Sequence, residues 1–312
     1  MTSAALPPSA SVTVRVPAKI NLELLVGPPG ADGYHPLATV FHAVNLFDEV
    51  TVTAAEEWGL SVSGPQSLGV PVDGTNLAAK AAQALAERAG VDEPVHIAIR
   101  KDIPVAGGMA GGSADAAATL VACDHLWGLG TTKQELEEIA GGLGSDVAFL
   151  LSGGTAMGSG RGEILAPVLA RGTYHWVLAL SEGGLSTPAV YAECDRLRGS
   201  VAVPDPVPTP EMMQALRSGD ARALGAALQN DLQAAALSLM PALTDVIDAG
   251  LEFGAVGGIV SGSGPTVAFL CEDTESALDL AVALTASGAV QDVRRATGPA
   301  HGAHVIGGPR PG

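Results

Sequence analysis

The chain has 312 residues, enough for one large or two ordinary domains that each bury a full core. Its formal charge of −17, from 16 Lys and Arg against 33 Asp and Glu, argues against a nucleic-acid partner, which needs a basic surface to displace counterions. Charges interrupt every apolar stretch well short of a bilayer span, Met1 to Ser11 lack the regions of a signal peptide, and Cys123, Cys194 and Cys271 lack zinc or disulfide spacing. A cytoplasmic protein with reduced thiols and no membrane contact is therefore expected.

In chain order, residues 1–11 are expected to form a disordered tail. Val12 to Val26 alternates apolar and polar residues on both sides of Pro17, which predicts two short strands and a bend carrying Lys19 and Asn21. Thr39 to Leu46 and Asp48 to Thr53 predict further strands, so the opening is β-rich. Leu77 to Ala89 predicts a helix, with Thr75-Asn76 as its cap and Gly90 as its stop. Pro94 to Arg100 predicts a strand that feeds a glycine-dense turn, and Gly112 to Trp127 a helix of small residues. Thr131 to Glu135 offers a capping-box start for a helix that ends near Gly141-Gly142.

The second half predicts a strand over Tyr174 to Leu180, a helix over Pro188 to Leu197 and a proline-rich connection over Val201 to Pro210. Helices follow at Pro210 to Ser218, Ala221 to Ala236 and Leu243 to Phe253. Strands at Ala255 to Val260 and Thr266 to Cys271 flank Ser261-Gly262-Ser263-Gly264-Pro265. A helix over Glu275 to Ser287, a strand near Ala289 to Arg294 and an irregular tail over 301–312 close the chain. Strands and helices mix without regular alternation, which favours an α+β fold, and no repeat of roughly 20–50 residues is visible.

Pro104, Val105, Ala106, Gly107, Gly108, Met109, Ala110, Gly111, Gly112, Ser113 and Ala114 form a glycine-rich turn that runs into a helix. Such a turn lets backbone approach an anion, and the helix aims its unpaired N–H groups at the same point. It holds neither the Gly-Lys-Ser/Thr of a Walker loop nor the spacing of a Rossmann fingerprint. In a chain with 40 glycines, an ordinary turn is the competing reading.

Three motifs in order resemble the superfamily of small-molecule kinases that includes galactokinase, homoserine kinase and mevalonate kinase, the GHMP kinases. They are Pro17-Ala-Lys19-Ile-Asn21-Leu22, the turn at Pro104 to Ser113, and Ser261 to Thr266. Ala31-Asp-Gly-Tyr34-His35, Leu143-Gly-Ser-Asp146-Val147 and Ser186-Thr187-Pro-Ala-Val-Tyr191 make the chain similar to the branch that acts on 4-diphosphocytidyl-2-C-methyl-D-erythritol. The resemblance implies a ribosomal-protein-S5-like ATP-binding domain over 12–168 and a ferredoxin-like domain over 169–300. It also implies ATP as phosphoryl donor, with Mg2+ accompanying it, and a monomer or weak homodimer.

The same resemblance implies Lys19 and Asp146 as the catalytic pair. Asn76, Lys101 and Pro104 to Ala114 fall on the ATP side, and Asn21, Tyr34, His35, Thr187 and Tyr191 on the acceptor side. Ser261, Gly262, Ser263 and Gly264 form a phosphate-proximal turn, and no metal-ligand cluster is implied. The chemistry agrees, because a carboxylate with a pKa of about 4 is a poor base toward an alcohol unless a cation stabilises the developing alkoxide. Read singly, Asp146 is equally a helix cap, Lys19 a strand lysine, Tyr34 and Tyr191 packing residues, and His35 a turn residue. Ala110 and Ala114 depart from the superfamily pattern, where a glycine and a serine are usual, and Ala110 is strained if its φ is positive. Another small-alcohol kinase of the superfamily, or a non-catalytic nucleotide binder of the same fold, is the competing function.

Overall fold

The computed structural model describes residues 10–31, 33–181 and 183–308. Residues 1–9 of the expected tail, and Asp32 of the Asp-Gly-Tyr-His element, lie outside the described residues. Strand β1, Ser11–Val26, is one strand instead of two, and β2, Leu37–Ala54, is likewise continuous. Their antiparallel register shifts between Pro17 and Ala18 and again between Asn21 and Glu23. A bulge absorbs the missing proline N–H and bends the strand without ending it. Lys19 and Asn21 lie between the two irregularities, and both are buried.

Strand β3 (Gly59–Ser63), helix α1 (Leu77–Ala89), strand β4 (Val95–Arg100) and helix α2 (Gly111–Trp127) follow. Asn76 caps α1 by accepting from Ala78 N, and Gly90 ends it with a left-handed φ of 67°. Helix α3 (Lys133–Leu143) carries the expected capping box between Thr132 and Glu135. Helix α4 (Ser145–Ser152) leads to strands β5 (Thr155–Ser159) and β6 (Ile164–Pro167). The first sheet runs β12-β1-β2-β4-β3, where β12 is His304–Gly307, and β5 pairs with β2 and β6. The tail at 301–312 is therefore not irregular throughout, because β12 pairs with β1.

Strand β7 (Tyr174–Leu180) opens a second, antiparallel sheet of order β11-β7-β10-β9. Helix α5 (Thr187–Arg198), helix α6 (Pro210–Ser218), helix α7 (Ala221–Ala227), strand β8 (Gln229–Asn230), helix α8 (Gln233–Leu239) and helix α9 (Ala242–Glu252) lie between β7 and β9 (Gly257–Val260). Strand β10 (Val267–Cys271), helix α10 (Thr274–Ser287) and β11 (Asp292–Gly298) complete the split β-α-β order of a ferredoxin-like fold. The single helix expected over Ala221 to Ala236 is instead two helices broken by β8. Asn230 makes the break: its Nδ2 donates to Val260 O and Gly262 O, both at 2.8 Å, and its Oδ1 accepts from Leu232 N.

Helix α2 is buried along most of its length, from Ala114 through Cys123, and its alanines let it lie close against β1 and β2. The same core takes in Tyr174, Trp176 and Leu178 of β7, so apolar packing runs from one sheet to the other. Among the described residues no helix is long and apolar enough to cross a membrane.

Candidate active site

The glycine loop meets the turn that joins β9 and β10 of the second sheet. Gly108 has φ 76°, and a Cβ there would stand 1.9 Å from Ser261 O, so only glycine fits. Ser261 Oγ donates to Gly108 O at 3.0 Å, and Thr266 N donates to Gly107 O at 3.3 Å. The bonds of Asn230 to Val260 O and Gly262 O brace the Ser261 to Gly264 turn from the far side. Helix α2 starts at Gly111 with no side-chain cap, which leaves its first N–H groups for an anion. Its cap residue Ala110 has φ 60° and ψ 35°, so the strain foreseen for a β-carbon here is present.

A cleft of about 620 Å³ opens in front of this loop. Pro104, Ala106, Gly107, Gly108, Ala110, Gly111, Gly112 and Ser113 line it, together with Lys19, Asn21, Asp146, Thr187, Tyr191, Gly262 and Ser263. Lys19 Nζ donates to Asn21 Oδ1 at 2.6 Å and stands 3.6 Å from Asp146 Oδ2. Asn21 Nδ2 in turn donates to Thr39 Oγ1, which donates to Glu23 O. That chain fixes the ammonium from below, and the Phe41 ring lies 5.7 Å beneath it. Asp146 sits in the first turn of α4, but it is not the cap, since Gly144 holds that position. Its side chain keeps 27% exposure while that of Lys19 keeps 6%.

A second cleft of about 790 Å³ shares Leu37, Ser145, Arg161, Thr187, Pro188 and Tyr191 with the first. Tyr34 and His35 line it, so the two clefts meet beside the Lys19–Asp146 pair. The rings of His35 and Tyr191 lie 5.2 Å apart at 41°, and Arg161 stands 3.8 Å over the face of Tyr34. His35 Nε2 contacts both Asp195 oxygens, at 3.0 and 3.2 Å. A carboxylate partner there favours the Nε2–H tautomer and leaves Nδ1 as an acceptor. Burial, and then the Asp146 charge, pushes the Tyr191 hydroxyl up to about 12, so it stays protonated. Thr187 Oγ1 and Ser263 Oγ are 2.9 Å apart across the two halves of the site.

Several expected residues stand elsewhere. Lys101 does not line the cleft: its Nζ donates to Asp48 Oδ2 and, at 2.9 Å, to Asp115 Oδ2, and the residue is 1% exposed. Burial alone would lower its pKa, but the Asp115 and Asp48 charges prevail and raise it. Asn76 does not line the cleft either, because its side chain is spent capping α1 and donating to Pro71 O. Met109 and Ala114 are buried behind the loop, Val105 points outward, and Ser261 and Gly264 back the turn whose Gly262 and Ser263 reach the cleft. Sequence reasoning missed Thr39, Arg161 and Asp195, which lie outside the quoted motifs and become site residues only through folding, and it passed over Ser145, which sits inside the motif of Asp146 and lines both clefts. Among the described residues no cluster of His, Cys, Asp or Glu could hold a metal ion.

Two family profiles match the chain: GHMP kinases N terminal domain over residues 76–154 and GHMP kinases C terminal over 212–290. The chain is 57% identical over 296 residues to 4-diphosphocytidyl-2-C-methyl-D-erythritol kinase of Streptomyces avermitilis, covering 95% of this chain and 100% of the relative. It is 54% identical to the protein of that name from Mycobacterium tuberculosis, covering 97% and 95%. A crystal structure of 4-(cytidine 5′-diphospho)-2C-methyl-D-erythritol kinase superposes with TM-score 0.74 at 34% identity, covering 91% of this chain and 98% of that one. Mevalonate kinase of L. major, in complex with R-mevalonate, matches at TM-score 0.75 but 15% identity, a likeness of fold alone. With the glycine loop, the lysine–aspartate pair and the aromatic cleft in one place, the chain belongs to the 4-diphosphocytidyl-2-C-methyl-D-erythritol kinase family of GHMP kinases.

Proposed function

We propose that the protein transfers the γ-phosphoryl group of ATP to the 2-hydroxyl of 4-diphosphocytidyl-2-C-methyl-D-erythritol, giving the 2-phosphate and ADP for isoprenoid precursor synthesis. The observation that carries this reading is the Lys19–Asp146 pair at the junction of two clefts, one walled by the glycine loop and one by Tyr34, His35 and Tyr191. A donor and a long acceptor can approach that junction from opposite sides.

Phosphoryl transfer has a loose transition state, so the site has to align the reactants, neutralise charge and receive one proton. Asp146 accepts the hydroxyl proton as the bond to phosphorus forms, and Lys19 stabilises the alkoxide character that develops on the attacking oxygen. Asn21 and Thr39 hold Lys19 in place for that task. The N–H groups at the start of α2 and the turn at Gly262 cradle the β- and γ-phosphates. Mg2+ accompanying the nucleotide would supply neutralisation of the phosphate oxygens in the space in front of the glycine loop. At the other end Tyr34 and Tyr191 offer faces for the cytosine, and His35 Nδ1 can accept from its amino group.

We also assign residues 12–168 to the nucleotide-binding half and 169–300 to a second half. The parting of the two sheets near β7 supports that division, and β12 belongs with the first half because it pairs with β1.

Phosphorus NMR of ATP and Mg2+ with a panel of alcohols tests the function. With the cytidyl substrate, a new phosphomonoester resonance and ADP are expected while the substrate diphosphate stays intact. Turnover of homoserine or a sugar, with none of the cytidyl substrate, would favour the other small-alcohol kinases. Nucleotide binding without any turnover would leave a non-catalytic binder.

A further inference from the structure

Behind the glycine loop lies a group of charges that the proposed chemistry does not use. Asp48, just past the register shift in β2, and Asp115, in the second turn of α2, are both buried and share the one ammonium of Lys101. In a dry site, two carboxylates on one cation are not both ionised without a large desolvation cost. Asp48 has the donors that a charge needs: Lys101 on Oδ2, with Asp102 N at 2.7 Å and Ile103 N at 2.9 Å on Oδ1. Asp115 has Lys101 on Oδ2, while its buried Oδ1 has no hydrogen-bond partner among the described residues. Asp115 is therefore the member that takes the proton. Burial, and then the neighbouring Asp48 carboxylate, outweigh Lys101 and push it up to about 8.

The group is placed to feel what the loop holds. A Cβ built on Gly111, the first residue of α2, would stand 3.0 Å from Lys101 Nζ, so the triad lies directly behind the N–H groups that face the cleft. Other elements packed on α2 have their charges engaged elsewhere. Lys19 and Asp146 face each other, Glu23 accepts from Thr209, His304 bonds Gly302 O, the charges of α1 are exposed, and Lys133 of α3 pairs with Glu137.

We propose that Asp115 is a positioning residue that holds a proton whenever nucleotide phosphates occupy the loop, so that a neutral triad lies behind the bound polyanion and loss of that proton weakens nucleotide binding. This rests on the nucleotide site proposed above. An anion in the loop raises the proton affinity of Asp115 further, so affinity is level while both free and bound forms are protonated. It falls as pH rises through the free-state value, and one unit of additional shift corresponds to about tenfold.

Calorimetric titration of the full chain with ADP and Mg2+ between pH 7 and 9.5 tests this, in pairs of buffers of different ionisation enthalpy. Over that range the nucleotide's own phosphates are essentially fully ionised. Wild-type protein is expected to lose about sevenfold in affinity between pH 7 and 9.5, most of it above pH 8, and to take up about half a proton on binding near pH 8.5. Asp115→Asn, whose amide cannot ionise, is expected to lose the slope whatever its affinity at pH 7. A flat wild-type profile without proton uptake, or an unchanged slope in Asp115→Asn, overturns the proposal. Proton uptake by the wild type reads the same point if the variant fails to fold. Absence of ADP binding at pH 7 instead overturns the nucleotide site itself.

Discussion

Two lysine–carboxylate groups flank the glycine loop, and they differ in one physical respect. Lys19 and Asp146 stand 3.6 Å apart on the cleft wall with the aspartate partly open to solvent, whereas Lys101 is sealed behind the loop against Asp48 and Asp115. At that separation, and open on the cleft side, both groups can be reached by a hydroxyl that bridges them from the cleft. A group in direct contact, buried and closed off from the cleft, does not reach a substrate and serves to fix the chain around it. Here it ties the end of β4, the entry to the loop and the start of α2 through Asp102 N, Ile103 N and Asp115. On the proposed mechanism, the contrast assigns one of the chain's few lysines to chemistry and another to the scaffold behind the glycine loop.

The largest effect that would sharpen this contrast is on stability. Lys101→Met strips the cation from two buried acids and is expected to cost about 3–5 kcal/mol in denaturant unfolding. A cost within that of an ordinary surface change would break the scaffold role. A smaller effect is expected at the acceptor end, where Tyr191→Ala removes a half-buried ring face and should raise KM for the cytidyl substrate by about tenfold, with KM for ATP unchanged. If the acceptor KM did not move, the aromatic cleft would not be the cytidine slot. Smallest is Ala110→Gly, which relieves a left-handed alanine and is expected to stabilise by about 0.5–1 kcal/mol in the same unfolding experiment. A loss of stability there would show that the loop does not hold that conformation in solution.

Much of the frame was legible because its signals are local. Helix α1 with Asn76 and Gly90, helix α6 between Thr209 and Gly219, and strand β7 follow from periodicity and caps that lie within one element. What escaped depends on distant partners. Strands β3, β5 and β6 are short and held by pairing, β12 finds its partner at the other end of the chain, and Asn230 breaks a helical pattern only because it reaches Val260 and Gly262. Pro17 misled for the same reason, since the long ladder with β2 carries the strand through a bulge.

The site divides along that line as well. Lys19, Asn21, Asp146 and the glycine loop sit in compact motifs, and folding brings them to one cleft. Lys101 sits beside the loop in sequence and so resembles a ligand contact, yet its partners Asp48 and Asp115 lie in other elements, and their burial takes it out of the cleft. Asp195 and Arg161 carry no local signature, and only the approach of α5 and the β5–β6 turn to Tyr34 and His35 makes them part of the site.

The central claim, that the open pair performs chemistry while the sealed one builds the scaffold, is met most directly by Asp146→Asn. Its turnover at saturating ATP and cytidyl substrate should be measured beside its thermal midpoint. The account predicts kcat lowered by about 10²-fold or more, a smaller change in KM and an almost unchanged Tm. A kcat equal to that of the wild type would contradict it.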